Sequence, residues 1–193
     1  MTVSVCIVTL NAAKLLKRCL DSIPAALSSL DYEIIIVDNH STDNTLKMLR
    51  QYYPKITLIK NKYNKGYTGP MNQALSIAKG FYLLQLNPDT ELSPDSINTL
   101  FKYMEKNTDV GICQPRIIGD DGSFQKSSRR GIATPWATIT YFLGLSTLFP
   151  NNPRFTQYRL EHLNEYKLIE VDGVSGTCMF FRSKLIEDIG YLD

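Results

Sequence analysis

The stretch Gly80-Phe81-Tyr82-Leu83-Leu84-Gln85-Leu86-Asn87-Pro88-Asp89-Thr90-Glu91-Leu92 decides how the rest of the chain is read. Residues 81–86 are mostly apolar, too few for a buried helix and the right number for a buried strand. Gly80 stands where a preceding helix would end. Asn87, Pro88 and Asp89 then arrive together, with Glu91 close behind. A strand this apolar is central in its sheet, and an open α/β sheet holds its ligand beyond the carboxyl ends of its strands. Asn-Pro-Asp is also ordinary turn chemistry, so the stretch alone leaves a plain strand-to-helix turn open.

Upstream, Val3-Ser4-Val5-Cys6-Ile7-Val8-Thr9 reads as another buried strand, and Asn11 stands as the N-cap of the helix behind it. In that helix Leu15, Leu16, Cys19, Leu20 and Ile23 recur at helical spacing, and Pro24 closes it. Residues 32–37 form a β-branched run that stops at Asp38-Asn39-His40. Ser41-Thr42-Asp43-Asn44 caps a second helix, carried by Leu46, Leu49 and Tyr53 and closed by Pro54. Residues 56–60 make a short strand, 61–69 a polar loop with glycines, and Pro70 sits in the first turn of a helix reaching Lys79. Downstream, Ser93-Pro94-Asp95 reads as N-cap, first-turn Pro and acidic first turn of a helix to about residue 106, with Leu100, Phe101 and Met104 on its apolar face.

Strand and helix thus alternate four times with short connections. This predicts an α/β fold with a mostly parallel central sheet and helices on both faces, because parallel strands need right-handed crossovers. On that topology Thr9-Leu10-Asn11, Asp38-Asn39 and Asn87-Pro88-Asp89 share one carboxyl edge. Three such ends together say more than any one of them.

The second half changes character. Residues 110–115 are strand-like, Asp120-Asp121-Gly122-Ser123 is a tight-turn signature, and 124–129 resume extended structure. Residues 132–149 are aromatic and aliphatic and hold no charge. Asn151-Asn152-Pro153 breaks that run. Residues 171–182 carry Asp172, Gly173, Gly176 and a Cys-Met-Phe-Phe strand, and a last helix starts at Ser183 and ends at Gly190.

Composition narrows the class. The 193 residues suit one domain, or a domain with a small appendage, and 44% hydrophobic residues are enough for a core. A net charge of +2 does not argue for nucleic acid or for a strongly acidic partner, and no nucleic acid is expected. Cys6, Cys19, Cys113 and Cys178 form no CxxC pair, so reduced buried thiols in a cytoplasmic protein are expected rather than disulfides or zinc. Neither a signal peptide nor a membrane-spanning run is expected. His40 and His162 lack metal-site spacing.

Taken together the motifs resemble glycosyltransferase family 2, the inverting nucleotide-sugar transferases with a GT-A fold, and within it the rhamnosyltransferase-like branch of polysaccharide assembly. The resemblance rests on residues 3–11, on Ile-Ile-Ile-Val-Asp-Asn-His-Ser-Thr-Asp-Asn-Thr at 34–45 and on Asn-Lys-Gly-Tyr-Thr-Gly-Pro-Met-Asn at 64–72. Leu-Asn-Pro-Asp-Thr-Glu-Leu at 86–92 and Val-Asp-Gly-Val-Ser-Gly-Thr-Cys-Met at 171–179 complete it. No single piece is specific, but the ordered set spans essentially the whole chain.

The resemblance implies a site. Thr9, Leu10 and Asn11 would contact the donor nucleoside, and Asp38 its base or ribose, since a carboxylate accepts hydrogen bonds from ring N–H and hydroxyl groups. An Asx turn or helix cap is the other reading of Asp38, and Asn39 is read as structural. Asn64, Lys65, Gly66, Asn72 and Asn87 complete the donor pocket, with Gly66 permitting close backbone approach and Lys65 either facing phosphate or solvated. Asn87-Pro88-Asp89 takes the place of the family's Asp-x-Asp motif, leaving Asp89 as the ligand for Mg²⁺ or Mn²⁺. Asn at the first position weakens the case that metal is strictly required. Glu91 is a helix-cap residue or a minor aid. The family's base lies in acids beyond a Gly-Gly-Phe-Asp-Glu-like segment, which Ile189-Gly190-Tyr191-Leu192-Asp193 resembles. Either Asp193 serves as the base, or the usual base lies beyond this segment and the chain binds donor without a normal base, which is the reading the sequence favours.

Residues 1–115 are expected to form the nucleotide-sugar half and 116–193 an irregular acceptor-side region of the same domain, C-terminally truncated relative to the family. The donor would be a UDP-, dTDP- or GDP-sugar and the acceptor a saccharide or a lipid-linked one. The uncharged residues 132–149 read as core packing beneath an acceptor loop. A lipid- or partner-facing patch is the alternative, which would bring peripheral association with the inner face of a membrane. Arg129 and Arg130 beside it either meet acceptor phosphates or are solvated. A nucleotidyltransferase would want a Gly-rich basic loop after the first strand, and Leu10-Asn11-Ala12-Ala13 is not one. A flavodoxin-like signalling module would want a Lys at a later strand end and no large irregular second half.

Overall fold

A computed structural model describes residues 1–193. The unbroken apolar run Val3–Thr9 forms β1, buried along its whole length. Helix α1 (Ala13–Leu27) buries Leu16, Cys19, Leu20, Ile23, Ala26 and Leu27, while Leu15 stays exposed. The helix runs through Pro24 instead of closing there. Proline costs one backbone bond and some steric fit, and the full burial of Ala26 and Leu27 beyond it offsets that loss.

The alternation continues through β2 (Tyr32–Asp38), α2 (Thr45–Tyr52), β3 (Thr57–Lys60), α3 (Thr68–Ile77), β4 (Tyr82–Leu86) and α4 (Ser96–Lys106). Helix α4 starts later than Ser93-Pro94-Asp95 suggests. Those residues make a turn, and Asp95 adopts a left-handed backbone with φ of 57° before the helix begins. Strand β5 (Ile112–Cys113) follows, and the remaining elements are β6 (Arg129–Arg130), α5 (Pro135–Phe142), α6 (Leu145–Leu148), β7 (Gly173–Val174), β8 (Cys178–Arg182) and α7 (Lys184–Ile189).

The chain forms two units, Met1–Pro115 with Gly176–Asp193, and Arg116–Ser175. The first holds a six-stranded sheet of order β3-β2-β1-β4-β8-β5. Strands β3, β2, β1 and β4 are parallel, β8 runs antiparallel to β4, and β5 antiparallel to β8. Cys6, Val8, Ile35, Val37, Leu83 and Phe181 form one core face with Met71, Ala74 and Leu75 of α3. The alternate residues Val5, Ile7, Ile36, Leu84 and Leu86 are equally buried, and α1 packs with α2 and α4. The chain steps outward from β1 to β2 and β3, then crosses back to β4. The order therefore reverses between β1 and β4, where such sheets open their binding crevice.

Gly80 has a different reason to be glycine than ending a helix. Helix α3 stops at Ile77 and its cap, Ala78, is already extended. A Cβ on Gly80 would lie 2.5 Å from Ser4 N, 2.7 Å from Tyr82 O and 2.8 Å from Val3 C. The entry to β4 thus presses on the backbone of β1, and the Ser4 hydroxyl accepts a 2.8 Å bond from Gly80 N–H.

In the second unit the turn at 119–123 forms as read, with Gly119 N–H donating to Ser123 O and Gly122 at φ 77°. A 3₁₀ turn at Lys126–Ser128 interrupts the expected extended run, and β6 pairs antiparallel with β7. Residues 132–149 are not core. Ile132, Trp136, Ile139, Phe142, Leu143, Leu148 and Phe149 are all exposed, Phe142 to 79%. A short helix that is apolar all round can turn only one stripe inward, and here the small residues Ala137, Thr140 and Ser146 take it. All four cysteines are free, with Cys6, Cys19 and Cys178 buried. No helix is long and apolar enough to cross a membrane.

Candidate functional site

The register fixes the geometry of the carboxyl edge. Thr9 stands level with Asp38, and Ile7 with Leu86, so the three polar strand ends emerge side by side. Thr9 and Asp38 are both buried. Asp38 accepts a 3.1 Å bond from Ser41 N–H, three residues on, through Oδ2, a local capping contact rather than a two-residue Asx turn. Its Oδ1 and the Thr9 Oγ1 are buried without a hydrogen-bond partner. Two unsatisfied polar atoms at one register position are unusual in a folded protein.

Asn11 does not cap α1. Its backbone is left-handed, with φ 50°, and its Oδ1 accepts bonds from Thr42 N–H at 2.8 Å and Asp43 N–H at 3.3 Å. The orphan N–H groups at the start of α1 are met by the loop after β2. Asn11 N–H donates to Ser41 Oγ, Ala12 N–H to Thr45 Oγ1 and Ala13 N–H to Asp43 Oδ2. Two strand-end loops are therefore stitched together, with Leu10 exposed between them.

Asn39 is the hub of the site. Its buried amide donates to Asn64 Oδ1 and to Gly66 O, both at 2.7 Å, and accepts from Asn61 Nδ2 at 3.2 Å and Lys65 N–H at 3.1 Å. The loop proposed to close on the nucleotide is thus pinned to the end of β2. Asn64 uses its carbonyl inside the loop, accepting also from Gly66 N–H. Gly66 has φ 76°, a backbone that favours glycine. Lys65 lies over the Tyr63 ring, 5.5 Å from its centre. We predict that Asn39→Asp, although isosteric, destabilises the fold by about 2–3 kcal/mol, because it turns an acceptor toward two oxygens. An unchanged urea midpoint would disprove the arrangement.

Asn87-Pro88-Asp89 is a turn and a site candidate at once: Thr90 N–H closes on Asn87 O at 3.2 Å, and Asp89 projects exposed from it. Asn87 O also accepts from the Cys19 thiol, its N–H donates to Thr177 O, and its Oδ1 accepts from the Tyr67 hydroxyl at 3.3 Å. Burial, with the Asp89 charge nearby, pushes Tyr67 up to about 12, so it stays a donor at neutral pH. Glu91 forms an ion pair with Arg18. Asn72 spends both amide groups on the backbone of Leu192, at 2.7 and 3.1 Å, and so holds the residue next to Asp193 rather than facing the edge freely.

No cluster of three His, Cys, Asp or Glu side chains is present, so the protein alone builds no cage for a metal. One exposed carboxylate at the crevice fits a hard divalent cation that brings further oxygens on a diphosphate. The sequence reading took Asn39 as structural, which its bonds to the loop agree with, and missed Asn61 and Tyr67. No local signal pointed to those two, whose partners Asn39 and Asn87 lie 22 and 20 positions away.

A crevice where the strand order reverses is where open α/β sheets bind their ligands, and comparison with known proteins identifies the class. The family model "Glycosyl transferase family 2" matches residues 4–190. The chain belongs to that family. It is 31% identical over 158 residues to a poly(ribitol-phosphate) beta-glucosyltransferase of Bacillus spizizenii, covering 77% of this chain and 25% of that protein. It is 27% identical over 197 residues to an N-acetylglucosaminyl-diphospho-decaprenol L-rhamnosyltransferase of Mycobacterium tuberculosis, covering 96% of this chain and 63% of that protein. The crystal structure of S. aureus TarS 1-349 in complex with UDP-GlcNAc shares the fold, with a TM-score of 0.64, 20% identity, and coverage of 100% of this chain and 49% of that one. The chain thus spans from a quarter to under two thirds of these relatives.

Proposed function

We propose that this chain transfers a sugar, with inversion, from a UDP-, dTDP- or GDP-sugar to a saccharide or lipid-linked acceptor in the synthesis of a polysaccharide or cell-surface glycan. The observation that carries the reading is the pair of unpartnered buried atoms, Thr9 Oγ1 and Asp38 Oδ1, at the crevice edge. They offer the donor and acceptor that a nucleoside base or ribose would satisfy. Family membership supplies the reaction class, and an inactive donor-binding domain has no comparable support among the relatives.

Residues 1–115 take the donor in this reading, with Thr9, Leu10, Asn11 and Asp38 on the nucleoside. The loop Asn64-Lys65-Gly66, locked by Asn39, covers it, and Asn87 and Asp89 face the diphosphate. Mg²⁺ or Mn²⁺ on Asp89 supplies charge neutralisation for the leaving diphosphate when bound. Residues 116–193 take the acceptor. Its hydroxyl attacks the anomeric carbon as the bond to the diphosphate breaks, and Asp193, steadied through Asn72 and Leu192, accepts the hydroxyl proton. The uncharged, exposed face of α5 and α6 supports peripheral contact with a membrane on its cytoplasmic side.

A thermal-shift panel of UDP-, dTDP- and GDP-sugars, with and without Mn²⁺, tests the donor site. One nucleotide class is expected to raise the melting temperature in a metal-dependent way, and no shift with any donor would sink the assignment. Asp193→Asn should keep that shift while lowering kcat roughly 100-fold or more. Unchanged turnover would place the base elsewhere.

A further inference from the structure

Arg129 is only 8% exposed, yet it forms no ion pair among the charged contacts of the chain. Its Nη2 donates to Leu163 O at 2.6 Å and its Nη1 reaches Asn164 O at 3.5 Å. The Phe124 ring lies 4.8 Å from the guanidinium carbon. Its Nε is buried and has no partner. Arg159 repeats the pattern: it stacks 4.5 Å over the Tyr141 ring and its Nε is also buried and unpartnered. Both arginines line a single cavity of about 490 Å³ within Arg116–Ser175, together with Lys126, Glu161 and His162.

A buried cation is costly unless its charge is answered. Backbone carbonyls satisfy N–H groups but bring no net charge. The carboxylates in the lining are already engaged. Glu165 pairs with Arg116 at 3.0 Å, and Glu161 sits 3.9 Å from the Lys126 ammonium. Glu165 is shared between Arg116 and the charge of Arg129, so the lining carries more positive than negative charge, and one Nε–H on each of Arg129 and Arg159 has no partner. Planar guanidinium forks match the oxygens of a phosphoryl group, and carbonyl and aromatic contacts hold them ready.

We propose that this cavity is a binding site for a phosphoryl anion, with Arg129 and Arg159 as its donors. The cavity lies in the region assigned above to the acceptor and the inference deepens that reading, but its occupancy requires neither donor nor turnover, so its test is separate from that of the donor site. The anion comes either from a phosphate ester on a glycan or polyol, or from free phosphate. Asn151 and Glu161 in the same lining offer acceptors for hydroxyl groups beside an esterified phosphate.

His162 reports on occupancy. It lines the cavity, its Nδ1 lies 2.7 Å from Thr156 Oγ1, and burial together with the Arg129 charge holds its pKa below the ordinary value. An anion beside it raises that pKa. The chain has two histidines, so His40 serves as the internal reference in an NMR titration of the intact chain. Inorganic phosphate or glycerol 1-phosphate is expected to move His162 saturably and raise its pKa, leaving His40 still. Glycerol 1-phosphate binding more tightly than phosphate identifies an ester as the source, and equal binding identifies free phosphate. Arg159→Gln should weaken either ligand roughly tenfold or more. Arg129→Gln removes the clamp on Leu163 and Asn164 as well, so Arg159→Gln and Lys126→Gln carry the test if it fails to fold. The proposal fails if neither phosphate moves His162, if neutral glycerol moves it equally, or if the Arg159 variant binds as the parent does.

Discussion

Asp89→Ala is expected to remove metal-dependent donor binding and to lower kcat/KM by roughly two to three orders of magnitude, or about 3–4 kcal/mol of transition-state stabilisation. The carboxylate is exposed at the tip of the Asn87–Thr90 turn, so it contributes little to the fold. The melting temperature without ligand should therefore stay where it is, within what about 0.5 kcal/mol produces. That split separates a ligand-binding role from a structural one. Asp89→Asn should behave almost as badly, because an amide keeps the shape and loses the charge a divalent ion requires. Full Mn²⁺-dependent binding of donor by the alanine variant would refute the assignment.

Gly80→Ala should be the most damaging small substitution in the sheet. Each of the three atoms its Cβ would meet, Ser4 N, Val3 C and Tyr82 O, belongs to backbone, so no side chain can swing aside. Either the entry to β4 moves off β1, or the bonds from Lys79 and Gly80 N–H to the Ser4 hydroxyl break. Overpacking of this kind costs about 3 kcal/mol, and for a chain of this size that lowers the melting midpoint by roughly 6–12 °C. A midpoint within about 2 °C of the parent would show that the close approach is relieved at little expense. Gly66→Ala makes a useful contrast: its Cβ would meet nothing within 4 Å, and only the positive φ opposes it.

The parallel half of the sheet was readable because each of its strands is a short apolar run punctuated by polar residues, which is a local signal. Strand β8 was readable as a strand, but its place between β4 and β5 was not. Its partner Tyr82 lies 100 residues from Arg182, and nothing in Cys-Met-Phe-Phe encodes a direction. The same limit divides the site. The placing of Asp38 and Asp89 at the carboxyl edge was visible because strand ends are set by local pattern. The locking roles of Asn39 and Asn72 were not, because each rests on contacts with distant residues: Asn39 with the loop at 61–66, and Asn72 with Leu192 across 120 positions. Residues 132–149 misled for another reason. Apolar composition reads as core, but burial also needs a partner surface, and short helices apolar on every side show most of that surface to solvent. Arg129 misled in the opposite direction, since an arginine beside another arginine reads as surface and here is buried.

The insertion of β8 beside β4 also sets a timetable for synthesis. Strand β4 is buried throughout and takes β1 on one side and β8 on the other. On the ribosome β1 is already present when β4 emerges, whereas Cys178–Arg182 is translated roughly 5–20 s later at ordinary elongation rates. In that interval β4 is an open edge of apolar strand, with a row of unpaired N–H and C=O groups along it. It is there that the half-made chain is exposed to pairing with another copy of itself.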